Sequence, residues 1–98
     1  MLSEKQKKHL RRLAHPLHPL VSLGQAGLTD AVVAELDRAL HDHELVKVRV
    51  RAEDRKLRDT VLADLAQRTR SELVQRIGHV AVLYRPDADL PRIVLPDA

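Results

Sequence analysis

The chain has 98 residues, 44% of them hydrophobic and 32% charged, which supplies one globular core and is too short for two. The absence of cysteine removes disulfide scaffolds, thiolate metal sites and cysteine nucleophiles together. Lys and Arg outnumber Asp and Glu by 17 to 14, and no apolar run reaches the roughly 20 residues of a membrane span or the roughly 7–15 of a secretory core, so a soluble cytoplasmic protein with no membrane partner is expected.

In chain order, Ser3 and Gln6 have the spacing of a capping box, in which each side chain satisfies the other residue's amide. The helix they open carries Leu10, Leu13, Ala14 and Leu17 at helical spacing, with Lys5, Lys8 and Arg12 on another face. It is expected to end near residue 14, because His15-Pro16 and His18-Pro19 favour extended backbone. Residues 20–23, apolar and bounded by Pro and Gly, read as a buried strand. Thr29 caps a second helix whose apolar stripe is Val32, Val33, Leu36, Ala39 and Leu40. Residues 44–51 alternate Val46, Val48 and Val50 with Lys47, Arg49 and Arg51, the clearest strand in the chain. Asp54 caps a third helix that turns Leu57, Val61, Leu62, Leu65 and Ala66 inward and runs to near Arg68. Residues 73–77 and 80–85 flank Gly78-His79 as a β-hairpin. The domain is expected to span residues 1–86, followed by a proline-containing tail over 87–98.

The resulting order, α-β-α-β-α-β-β, predicts an α/β two-layer sandwich with a mixed four-stranded sheet, since a strand-helix-strand unit makes a parallel crossover and the hairpin adds an antiparallel pair. Positive charge is concentrated at one end: residues 1–15 hold Lys5, Lys7, Lys8, Arg11 and Arg12 against Glu4 alone. Such a concentration favours a polyanion partner, most often nucleic acid. Tyr84 is the single aromatic residue, which argues against base-stacking sheets and single-strand-binding barrels.

Gly24-Gln25-Ala26-Gly27 lies between a strand and a capped helix. Two glycines permit close approach of a polymer backbone, and the helix start offers free N–H groups to phosphate, the physics of the GxxG loop of KH domains. A tight turn needing glycine for positive φ reads from the same four residues. The row Lys47, Arg49 and Arg51 is either an exposed sheet face or a phosphate track. His15-x-x-His18 and His41-x-His43 have chelating spacings, but proline breaks the first segment and the second closes a helix, where histidine suits the dipole. No metal site and no cofactor are expected. Ser3, Ser22 and Ser71 lie in no nucleophile motif, so neither catalysis nor a small-molecule substrate is expected.

Five blocks carry a family resemblance: residues 5–10, residues 13–17, Leu23-Gly24-Gln25-Ala26-Gly27-Leu28-Thr29, Ala39-Leu40 with residues 43–48, and Ile77-Gly78 with residues 83–86. Together they resemble the bacterial YhbY family, stand-alone versions of the CRM domain, named for chloroplast RNA splicing and ribosome maturation. The resemblance implies a fold like the C-terminal domain of bacterial translation initiation factor three. It also implies non-catalytic binding of ribosomal RNA in precursors of the large (50S) subunit, as an aid to assembly. Gly24, Gln25, Ala26 and Gly27 would then bring the loop backbone to RNA. Gln25 and Ala26 are uncharged, so attraction would come from Lys5, Lys8, Arg11, Arg12 and Lys47, with Arg49 and Arg51 beside them. The competing expectation is a protein-interaction module docking on a ribosomal protein or assembly factor. A monomer is expected in either case.

Overall fold

A computed structural model describes residues 1–24, 27–52 and 54–98. The elements are α1 (Glu4–Ala14), β1 (Pro19–Leu23), α2 (Asp30–His43), β2 (Leu45–Val50), α3 (Arg55–Thr69), β3 (Glu72–Ile77) and β4 (Val80–Tyr84). Each helix opens at a short polar side chain that accepts an otherwise orphan amide. Ser3 Oγ accepts from Gln6 N at 3.1 Å while Gln6 Oε1 accepts from Ser3 N at 3.0 Å, closing the capping box. Thr29 Oγ1 accepts from Val32 N at 3.2 Å, and Asp54 Oδ1 from Lys56 N at 2.9 Å. Ser3→Ala should cost about 1 kcal/mol, read as a fall of roughly 4–8 °C in Tm in a thermal melt; an unchanged Tm would mean that the cap contributes nothing.

The four strands form one sheet in the order β1-β2-β4-β3. β1 and β2 are parallel, as their connection through α2 requires, and β4 runs antiparallel to both of its neighbours. Gly78, with φ of +58°, makes the tight turn between β3 and β4. Because side chains alternate across a strand, the sheet has two distinct faces. One carries Val21, Leu23, Val46, Val48, Val50, Ala81 and Leu83 and packs on Leu36 and Leu40 of α2 and Leu62 and Leu65 of α3. The other carries Leu45, Val74, Val82 and Tyr84 and packs on Leu10 and Ala14 of α1.

The mixed four-stranded sheet matches the expectation, and α2 and α3 form with it the two layers anticipated. α1 adds a partial layer on the opposite face, because the strand residues that meet Leu10 and Ala14 alternate with those that meet α2 and α3. Leu57, expected to point inward, does not, and Leu13 and Leu17 leave the stripe they share with Leu10 and Ala14 half open. Leu57 is 53% exposed, and Leu13 and Leu17 are 40% and 39% exposed, since α1 covers only one end of its sheet face and Leu13 and Leu17 overhang the rim.

Residues 86–98 form neither helix nor strand but are held to the domain by a buried carboxylate. Glu44 ends α2 with φ of 64° and is 1% exposed. Its oxygens accept from Asp87 N at 2.6 Å, Arg92 N at 3.0 Å and Ile93 N at 2.9 Å. Arg92 returns the contact, donating from Nη1 to Asp42 O at 2.7 Å and from Nη2 to His41 O at 2.8 Å, which satisfies carbonyls at the end of α2. Ile93 and Leu95 then pack against the α1 core.

Candidate nucleic-acid interface

The part of the sheet that α1 leaves bare is lined with cations. Lys8, Arg11 and Arg12 of α1 face Lys47 of β2 across a groove floored by Ile77, Val80 and Val82. Lys47 Nζ lies 3.3 Å from His15 O, linking β2 to the end of α1. Arg49 stands opposite Val80 in the β2–β4 ladder and so belongs to the same face. Arg51 N donates to Leu23 O at 3.1 Å, which carries the row to the start of the glycine-rich segment. Lys5, also exposed, sits one turn before Lys8 on the same helix ridge. Thus α1 and β2, distant in sequence, present one basic track that runs from α1 toward the end of β1.

At that end Gly27 N donates to Gly24 O at 3.1 Å, closing a turn. Gly27 has φ of +73°, a conformation that side chains resist, so this glycine serves the turn itself. A Cβ would meet no atom within 4 Å at either glycine, but Gly24 differs in lacking the positive φ, so its backbone accepts a side chain without that strain. Gln25 and Ala26 lie outside the described residues. The first turn of α2 follows immediately, with its amides and the positive end of its dipole.

Ion pairs gather on one side of the molecule, although Arg38, Arg55, Lys56 and Arg70 on that same side are in none among the described residues. Arg68 pairs with Asp64 and Asp30, Arg76 with Asp59 at 2.7 Å, and Arg85 with Asp37 at 2.6 Å, all on the side of α2 and α3. Among the described residues, Lys5, Lys8, Arg11, Arg12, Lys47, Arg49 and Arg51 form no ion pair. Among the described residues, no carboxylate lines the groove between α1 and β2. Cations left unneutralised in an open groove attract a polyanion through counterion release and direct contact.

Tyr84 is 4% exposed beneath α1, where burial, with the Glu44 carboxylate adding to it, pushes its hydroxyl above the ordinary tyrosine value. Base stacking on a tyrosine ring is therefore not available at this surface. Among the described residues no three His, Asp or Glu side chains gather in a metal-holding geometry, and no helix is long and apolar enough to cross a membrane.

Several contributors escaped sequence reasoning. The turn signal at Gly78-His79 places Ile77 and Val80 in a hairpin but does not mark the sheet face on which they floor the groove. Arg58 Nη1, 3.4 Å from Ala52 O and 3.2 Å from His79 Nδ1, adds a cation beside the β3–β4 turn that no local pattern marks.

These features define an α/β domain with its ion pairs gathered on the α2–α3 side and a row of unpaired cations along the half-open face beside α1. The chain belongs to the CRS1/YhbY (CRM) domain family, whose model matches residues 2–85. It is 46% identical over 95 residues to a Haemophilus influenzae protein named "RNA-binding protein", covering 97% of this chain and 95% of that one. Bacillus subtilis YqeI, named "Probable RNA-binding protein", is 38% identical over 96 residues, covering 98% of this chain and all of the relative. The solution structure of Staphylococcus aureus SAV1595 superposes with a TM-score of 0.85 at 38% identity, covering 98% of this chain and 100% of that one.

Proposed function

We propose that this protein is a non-catalytic RNA-binding protein that engages RNA through the basic track and the Gly24–Gly27 turn. The observation that carries the reading is the unpaired cation row shared by α1 and β2, with the names of its relatives pointing the same way. Lys8, Arg11, Arg12, Lys47, Arg49 and Arg51 supply attraction to phosphates, with Lys5 extending the track. The turn admits the RNA backbone beside the start of α2. The resemblance to YhbY proteins directs the proposal to ribosomal RNA in precursors of the large subunit, with the protein acting as an assembly aid.

Sedimentation of a low-salt lysate, half of it nuclease-treated, tests this. Comigration with large-subunit particles that is lost on nuclease treatment supports the proposal, whereas comigration that survives nuclease indicates docking on a protein. Within the site, Gly24→Asp should weaken RNA binding by roughly tenfold through charge and bulk at an open position, with little change in Tm. Gly27→Ala should instead cost about 1 kcal/mol in stability, because of its positive φ. Equal RNA affinity in Gly24→Asp and wild type would remove the turn from the interface.

A further inference from the structure

We propose that a second groove, on the β1 side of α1, receives an unpaired nucleobase, so that the domain favours RNA helices interrupted by an extruded nucleotide. This rests on the reading of the basic track as an RNA interface. The groove has a volume of about 510 Å³ where the end of α1 passes over β1 and β2, within the range of roughly 300–1,000 Å³ typical of clefts for small organic groups. Its walls include Leu13, Leu17 and Leu20, the last 53% exposed, so aliphatic surface stands open to water beside a charged track.

Charge and continuity identify the occupant. Lys47 lines both this groove and the basic one, and His18 and His43 join it here, while among the described residues no carboxylate lines either groove. A phosphate backbone held along the basic track would therefore carry its nucleotides past this opening. A base has apolar faces that suit leucine walls and polar edges that suit Lys47 and the imidazoles. With the only tyrosine buried, these leucines provide the contact area that aromatic rings provide in other RNA-binding modules. Bases inside an A-form duplex are stacked and out of reach, so only an unpaired one can enter.

The experiment compares two hairpin RNAs of equal charge, one fully paired and one carrying a single unpaired 2-aminopurine in its stem. Each is titrated at one low salt concentration with wild type, Leu17→Ser/Leu20→Ser and Leu20→Ser alone. Wild type should bind the interrupted hairpin about tenfold more tightly, with a change in 2-aminopurine emission. The variants should bind both hairpins as wild type binds the paired one. Equal binding of the two hairpins by wild type overturns the base groove while leaving the basic interface standing. So does a preference that persists in a folded variant, which would assign the leucines to another occupant such as a protein segment. Failure of wild type to bind either RNA overturns both the groove and the RNA reading beneath it.

Discussion

Glu44→Ala should lower the unfolding free energy by on the order of 3 kcal/mol, because it removes the buried acceptor of three partly buried backbone amides, at residues 87, 92 and 93, and with it the anchor of the C-terminal segment. For a domain of this size that is a fall of roughly 12–24 °C in Tm. Alanine is as strained as glutamate at φ of 64°, so this variant isolates the carboxylate. Glu44→Gly relieves that strain and should be about 1 kcal/mol more stable than Glu44→Ala. Burial acts to raise the Glu44 pKa, but the amides of Asp87, Ile93 and Arg92, with the Arg92 guanidinium, outweigh it and hold the value below the ordinary glutamate range. A depressed native value means the carboxylate binds its proton more readily in the unfolded chain. Its stabilisation is then complete above about pH 4.3 and shrinks as pH falls through the native value. Melts across this acid range should show a shallower pH dependence for Glu44→Gln than for wild type. Parallel curves would show that Glu44 does not couple protonation to folding.

Removing three cations from the track gives the largest expected change in binding. Lys8→Ala/Arg12→Ala/Lys47→Ala should reduce RNA affinity on the order of 100-fold at low salt and reduce the slope of log K against log salt by roughly 2–3. Stability should change by less than about 1 kcal/mol, since Lys8 and Arg12 are exposed and the contact of Lys47 with His15 O is long and exposed. Arg68→Ala, on the α2–α3 side, is the matched control and should leave affinity within about twofold, because its charge is already answered by Asp64 and Asp30. An equal loss in triple variant and control would place RNA somewhere other than the track.

The secondary structure was legible because its signals are local. Ser3, Thr29 and Asp54 each mark a helix start, and the Val46, Val48, Val50 alternation marks β2. The face chosen by α1 was not legible: Leu10 and Ala14 announce a stripe to be buried, but whether it meets Val82 or Leu83 depends on strand order and register, both set by distant pairings. The same limit applies to the site. The sequence shows cations on a helix and on a strand, yet their meeting across one groove follows from the way α1 crosses the sheet. Local alternation places Glu44 at the start of a strand. Its role depends on partners more than forty residues away, which no spacing rule connects. Leu57 shows the converse, a residue at correct helical spacing that lies beyond the edge of the face α3 buries.

The burial of Tyr84 has a spectroscopic consequence. The chain has no tryptophan and no other tyrosine, so its intrinsic emission and the strongest part of its near-ultraviolet dichroism arise from one chromophore wedged beneath α1. That signal reports the docking of α1, while far-ultraviolet dichroism reports all three helices together. A variant that frees α1 without melting the α2–α3 side would lose the first signal and keep most of the second. The molecule therefore carries its own optical gauge for the element that bears half of its basic track.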